Sequence, residues 1–336
     1  MDESLKTIAV MVANRSGLLN SYAFLRRKLT KSQVAILLYH RVCPQNDNWS
    51  LKPLSPWSFE RQMEYFYRNY EILPLDRLVQ CIRQVKTLPE KAVVITFDDG
   101  YKDNYLYAYP ILKKYHIPAT IFLTTGHIGS SKLFWFDEVS YVIQLTPLNQ
   151  LEFDKLDSYP LQTDIDKSRA SHIIINRLKN LPEERKRGLI DQLVSTCQVG
   201  IPANLGKELL LSWGEVREMH ADGVAFGAHS VNHAVLTNLP LEEAKREIIQ
   251  SKKDIEEKLG QPVTAFSYPN GNFNPEIVKF MKDGFTCAVT ADIPKLITSK
   301  DNPYELNRLG TTEDFNKFKV VFSGLYHDLR LSRFLK

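Results

Sequence analysis

Apolar and polar positions follow one repeating pattern through most of this chain. A short run of apolar, often β-branched residues is followed by a stretch in which apolar residues recur every three or four positions. Val34 to Leu38, Ala92 to Phe97, Ala119 to Leu123, Val224 to Ala228, Val263 to Tyr268 and Thr286 to Thr290 are runs of the first kind and predict buried strands. Stretches of the second kind predict helices at Leu75 to Val85, Trp213 to Asp222, Leu241 to Leu259 and Pro275 to Asp283. Local signals agree with these limits. Ser55-Pro56 supplies a cap and an N1 proline for a helix bearing Phe59, Met63 and Phe66, and Gly260 closes the helix before it. Pro110 falls inside the helical stretch after Gly100 and predicts a kink there. Strands alternating with helices predict a parallel α/β sheet, open or closed into a barrel, with its chemistry at the C-terminal ends of the strands.

The alternation is interrupted from about 135 to 210, where the sequence is charged, poor in glycine and striped by Ile174, Leu178, Leu189 and Leu193. This segment reads as a helical insertion. Three parts result: a helical extension over 1–33, a main domain over 34–313 containing the insertion, and an amphipathic helix over 314–336. Leu18 to Leu29 and Phe315 to Phe334 each carry basic residues beside an apolar stripe, a pattern that fits packing on the domain surface or peripheral contact with a membrane.

Composition removes several classes of function. The 43 Lys and Arg against 39 Asp and Glu leave a net charge of only +4, without the concentrated basic stripe of a nucleic-acid binder. The 4 cysteines are far apart and form neither a CxxC pair nor a disulfide framework. Ile8 to Ala13 is too short to span a bilayer and follows acidic residues, so neither a signal peptide nor a transmembrane span is read, and a cytoplasmic or membrane-peripheral location is expected.

The candidate chemistry lies at strand ends. The strand Ala92 to Phe97 stops at Asp98-Asp99-Gly100, two carboxylates that repel one another unless a cation or hydrogen bonds take up the charge. Past Ala228 comes His229-Ser230-Val231-Asn232-His233, whose histidines, four apart, would share one face of a helical turn. One carboxylate and two imidazoles form a divalent-metal set that leaves positions open for water and substrate. His40 sits where the first strand gives way to a loop.

Thr96-Phe97-Asp98-Asp99-Gly100 followed by His229 to His233 resembles the first two motifs of the polysaccharide deacetylase family, the NodB-homology or carbohydrate esterase family 4 enzymes, and the resemblance runs from about Val34 to Gly310. It implies a distorted (β/α) barrel with the helical insertion as an elaboration, and metal-dependent removal of acetyl groups from an N-acetylated glycan, polymeric, oligomeric, or linked to a lipid or nucleotide. Carried over by position, it makes Asp99, His229 and His233 the ligands of a divalent transition metal, zinc first, with cobalt, nickel and iron open. Asp98 becomes the general base. A general acid is needed to protonate the departing amine. His40, in Leu37-Leu38-Tyr39-His40-Arg41-Val42, resembles the acid histidine of circularly permuted members, and His327 competes for the role. Phe266 to Gly271 resembles the third motif and makes Asn270 and Tyr268 candidates for contacting substrate and oxyanion. That motif lacks its arginine, since Ser267 stands there, and Arg308 is the candidate replacement in supporting Asp98. Trp135 and Phe136 read either as a sugar-stacking platform or as core. The competing classes are a non-haem iron oxygenase, which also uses two histidines and a carboxylate, and a glycan-binding protein that keeps the fold without catalysis.

Overall fold

The computed structural model describes residues 33–44, 53–154, 157–292 and 295–323. The proposed N-terminal helix around Leu18 to Leu29 and the C-terminal residues from 324, His327 among them, lie outside the described residues.

Seven parallel strands close into a ring. In chain order the strands are β1 (Val34–Tyr39), β2 (Glu71–Ile72), β3 (Ala92–Phe97), β4 (Ala119–Leu123), β5 (Gln150–Phe153), β6 (Asp157–Pro160), β7 (Ala225–Ala228), β8 (Ala265–Ser267), β9 (Cys287–Asp292) and β10 (Leu306–Gly310). The ring runs β1, β10, β9, β8, β7, β4, β3 and returns to β1, while the short β2 pairs with the lower half of β3. β1, β3 and β4 are buried at every position, as strands covered on both faces should be, and this explains their continuous apolar runs. β10 carries no such run because an arginine, Arg308, stands at its centre, and it was not among the predicted strands.

Two apolar layers follow from the two-residue period of the strands. Ala35, Leu37, Val93, Ile95, Phe97 and Ile121 face outward and pack under the helices. These are α1 (Pro56–Asn69), α2 (Leu75–Arg83), α3 (Tyr109–Lys114), α4 (Trp135–Leu145), α5 (Asp164–Leu178), α6 (Glu183–Cys197), α7 (Leu205–Leu209), α8 (Trp213–Ala221), α9 (Leu241–Leu259), α10 (Pro275–Met281) and α11 (Phe315–Ser323). Val34, Ile36, Val94, Phe122, Val289 and Leu306 face inward and meet Leu75, Leu78, Val79 and Ile82 of α2 in a second cluster. Following the inward set up β3, the next positions after Ala92 and Val94 are Thr96 and Asp98. The barrel interior is therefore apolar below and polar at its C-terminal mouth.

Several local predictions are met with small shifts. Ser55 caps α1 by accepting from Ser58 N, and Gly260 ends α9 in a left-handed conformation with φ 66°. The stretch containing Pro110 starts as a π-helical turn over Asn104–Ala108 before α3. Proline at 110 has no N–H to offer the carbonyl four residues back, and the wider turn absorbs that loss. The described part of the C-terminal helix turns Phe318, Val321 and Phe322 into the protein, where Phe318 meets Phe66 at 5.3 Å between ring centroids.

The 135–210 segment contains helices α4 to α7, with its own core of Val139, Ile143, Ile174, Leu178, Leu189 and Leu193. It also contains an antiparallel hairpin, β5–β6, that an all-helical insertion omits. Its signal is the short alternation in which Leu151 and Phe153 are buried between exposed neighbours.

Close approach of backbone and ring fixes one glycine. A Cβ on Gly227 of β7 would lie 2.5 Å from the Phe122 ring. That ring fills the barrel under Arg308, whose guanidinium carbon is 5.6 Å from its centroid. Gly227→Ala is expected to cost about 1–3 kcal/mol in a chemical-denaturation measurement through overpacking, and an unchanged midpoint would contradict the packing described here.

Candidate active site

The polar mouth of the barrel is organised by one buried ion pair. Arg308, at 0 % exposure, donates through Nη1 to Asp98 Oδ1 at 2.7 Å and through Nη2 to Asp98 Oδ2 at 2.5 Å. The remaining guanidinium hydrogens reach Ser267 Oγ at 2.8 Å, Thr96 Oγ1 at 3.2 Å and the Thr290 carbonyl. Ser267 Oγ lies 3.1 Å from Asp98 Oδ2 as well. Burial pushes the Asp98 carboxyl upward, but the charge of Arg308 and the Arg308 hydrogen bonds outweigh it and hold Asp98 below the ordinary aspartate range. The small Ser267 leaves room for an arginine arriving from β10.

Asp99 is turned away from this pair. Its backbone is left-handed, with φ 73°, and Gly100 follows at φ 83°. Asp99 Oδ1 is 3.4 Å from His229 Nε2 and 3.3 Å from His233 Nε2, and all three residues are buried. His229 Nδ1 lies 2.7 Å from the Ser267 carbonyl. A carbonyl only accepts, so Nδ1 carries a hydrogen, and in the neutral form of the ring the Nε2 lone pair faces Asp99. Asp99 Oδ1 has no hydrogen-bond partner among the described residues. Acceptors converging on one point, with a buried oxygen left over, are what a divalent cation satisfies, and the ligand atoms lie within 4.8 Å of one another.

The histidines do not sit on a helical turn, contrary to the spacing argument. Residues 229–233 form an irregular loop in which Ser230 (φ 62°) and His233 (φ 55°) are left-handed. The reversal at these two positions, rather than helical periodicity, brings the ring centroids to 5.0 Å. Glu247 of α9 clamps the loop, its carboxylate accepting from Val231 N and Asn232 N, each at 2.9 Å, and from Asn232 Nδ2 at 2.6 Å. Stacked rings support His233 from the side: His127, Phe134 and Phe136 lie at successive centroid distances of 4.4 and 5.0 Å, and Phe136 meets the His233 ring edge-on at 5.3 Å. Burial pushes His127 down to about 4, so it adds no charge near neutrality.

His40, Asp98, Asp99, His229, His233 and Asn270 line one pocket. His40 follows β1 and is held through its neighbours. Asn104 Nδ2 donates to the His40 carbonyl at 2.8 Å, Val42 N to Asp103 Oδ1 at 3.1 Å, and Arg41 Nε to Asp103 Oδ2 at 2.8 Å. Asn270 is left-handed, with φ 57°, at the tip of the turn after β8. Tyr268 is corrected to a core residue. It is fully buried, its hydroxyl donates to the Tyr304 carbonyl at 3.0 Å and its N–H to the Val289 carbonyl at 3.1 Å, so neither group is left for a ligand. Trp135 and Phe136 line the pocket from α4. Sequence reasoning passed over Asp103, Asn104 and Glu247. Asp103 and Asn104 lie four and five positions after Asp99, but Glu247 carries no local signal on a helix rich in glutamate.

The sequence matches the family model for polysaccharide deacetylases over residues 85–286. That range includes Asp98, Asp99, His229 and His233 but stops short of Arg308 and begins after His40. The chain is 26 % identical over 280 residues to YxkH of Bacillus subtilis, a protein provisionally named a polysaccharide deacetylase, covering 83 % of this chain and 71 % of that one. It is 38 % identical over 117 residues to the poly-beta-1,6-N-acetyl-D-glucosamine N-deacetylase of Staphylococcus epidermidis, covering 31 % of this chain and 40 % of that relative. The Streptococcus pyogenes deacetylase PplD, solved with acetate, superposes with a TM-score of 0.59 at 19 % identity, covering 88 % of this chain and 99 % of its own. IcaB from Ammonifex degensii gives 0.57 at 19 % identity, covering 87 % and 97 %. At such identities the structural likeness is one of fold.

Elemental analysis after equilibration with zinc is expected to find one ion per chain. His233→Ala should lower zinc affinity by about 10- to 100-fold or more, and Asp98→Asn should leave it nearly unchanged. Equal losses in both variants would contradict the separation of the two aspartates.

Proposed function

Because the chain belongs to the polysaccharide deacetylase family, we propose that it is a metal-dependent hydrolase that removes N-acetyl groups from a glycan. The observation carrying this reading is that one barrel mouth holds a three-residue donor set and, beside it, a separate carboxylate fixed by a buried arginine. Both oxygens of Asp98 are engaged by Arg308, whereas Asp99 Oδ1 faces two imidazoles and, among the described residues, accepts no hydrogen bond. Asp99, His229 and His233 are therefore assigned as ligands and Asp98 as the base.

A divalent cation on those ligands, zinc first, would polarise the amide carbonyl and lower the pKa of the attacking water, which lets a carboxylate as weakly basic as Asp98 accept its proton. Arg308 keeps Asp98 ionised and holds its plane, so the base is ready before substrate arrives. The turn at Asn270 presents backbone to the developing oxyanion. Expulsion of the amine requires a proton, and His40, on the same pocket wall, is the group assigned to deliver it. Residues 34–313 form the catalytic unit in this reading, with the 135–210 segment contributing Trp135 and Phe136 as surfaces for a sugar ring. The relatives named for poly-beta-1,6-N-acetyl-D-glucosamine make that polymer the first substrate to test. The parallel α/β framework and the family match favour this reading over an oxygenase.

Acetate release from N-acetylglucosamine oligomers should stop on chelation and return with zinc. Asp98→Asn should lower kcat by about 10²- to 10⁴-fold at unchanged zinc content, and undiminished turnover would remove Asp98 from the mechanism. His40→Ala should lower kcat while sparing zinc affinity; a loss of bound zinc instead would overturn its assignment as the acid.

A further inference from the structure

The wall of the pocket opposite the barrel strands comes from the inserted segment. Trp135 and Phe136 stand on α4, and Ile175, Asn176 and Lys179 at the end of α5. Lys179 is the one cation among the pocket-lining residues. Its side chain is partly buried, and no carboxylate of the described residues pairs with it. Nearby cations of the same segment are matched: Arg177 with Asp154 at 2.8 Å, Lys186 with Glu183 at 2.5 Å, and Arg187 with Glu138 at 2.7 Å. The acidic groups in the pocket are turned to other groups, Asp98 to Arg308 and Asp99 to His229 and His233 in the candidate metal set.

A partly desolvated ammonium without a counter-charge is an unfavourable arrangement that an anionic ligand relieves. Burial correspondingly lowers the proton affinity of Lys179. The position at a helix C-terminus is favourable for any cation, wherever its side chain points. Helix placement alone therefore accounts for the charge but not for its facing the same pocket as the candidate metal ligands.

We propose that Lys179 is a specificity residue that selects glycans bearing an anionic substituent, a phosphate or a carboxylate, on or next to the N-acetylated sugar. The proposal rests on the deacetylase reading for the N-acetyl sugar, and on the Lys179 wall alone for the charge. A lysine treats either anion as a point charge, so the sequence of the wall does not choose between them.

Calorimetric titration of the full chain, independent of turnover, tests this with three probes: tri-N-acetylchitotriose, the same trisaccharide carrying one phosphate ester, and the same trisaccharide carrying one carboxylate on a lactyl ether. At least one anionic probe should bind about tenfold more tightly than the neutral one, and the stronger of the two identifies the natural substituent class. The preference should fade in about 0.5 M salt, disappear in Lys179→Met with neutral binding unchanged, and persist in Lys179→Arg. Equal binding of all three probes by the unaltered protein, or a preference that survives in Lys179→Met, would overturn the proposal. So would a fall in melting temperature for Lys179→Met with selectivity intact, the outcome of a purely helix-stabilising role. Acetate release is followed in parallel with the same probes. Selective binding without acetate release upholds the anion site and overturns the deacetylase reading instead.

Discussion

Arg308 and Asp98 neutralise one another inside the barrel mouth, across 210 residues of sequence, and most of the polar architecture is arranged around that contact. A buried charge is tolerated only when paired and hydrogen-bonded, and removing one partner generally costs about 3–5 kcal/mol. The requirement is met on both sides. The guanidinium spends its donors on Asp98, Ser267, Thr96 and the Thr290 carbonyl, and Thr96 Oγ1 passes its own hydrogen to the Leu37 carbonyl at 2.5 Å. β1, β3, β8, β9 and β10 are thereby tied together at their C-terminal ends. Such a network adds little net stability over an apolar core of the same shape; what it provides is a carboxylate of fixed orientation and charge.

The pair also separates two adjacent aspartates by environment. Asp98 continues the inward face of β3 and meets the arginine, while the left-handed backbone at Asp99 turns the next carboxylate toward His229 and His233. Left-handed non-glycine residues recur at Ser230, His233 and Asn270, so several groups around the pocket stand on strained backbone. Their neighbours hold them there. Glu247 clamps the histidine loop, the stack of His127, Phe134 and Phe136 buttresses His233, and Asp103 with Asn104 anchors the segment carrying His40. Each irregular stretch of the site is therefore held by side chains of a neighbouring element.

The insertion gives the same barrel a second wall. It has a core of its own, so its sequence can change without disturbing the strands, and its contribution to the pocket comes from two helix ends, around Trp135 and Lys179. Tyr101 joins the two units, its hydroxyl donating to Asp137 Oδ2 of α4 at 2.8 Å while Arg41 lies 5.0 Å from its ring centroid. The residue after Asp98-Asp99-Gly100 thus links the strand-end motif to the inserted wall.

What the sequence determined by itself was the set of strands buried on both faces and the polar residues at their ends. A covered parallel strand is as a rule written as a near-continuous apolar run, and where the run stops the chain reaches the barrel mouth. Asp98, Asp99, His229 and His233 were legible for that reason, and Arg308 was visible as a candidate only because Ser267 left a familiar position empty. Tertiary structure decided the rest. β10 hides behind its own arginine, since a strand with a charged centre has no apolar signature until a partner such as Asp98 neutralises it. Tyr268 looked like a site residue beside Asn270, but successive residues of an extended chain point to opposite sides: Ser267 faces Asp98 and Arg308, and the ring of Tyr268 belongs to the core. The histidine spacing suggested a helical turn, yet two left-handed residues produce the same convergence. Local sequence records periodicity and strand ends; ring closure, loop handedness and the pairing of buried charges depend on residues far apart in the chain.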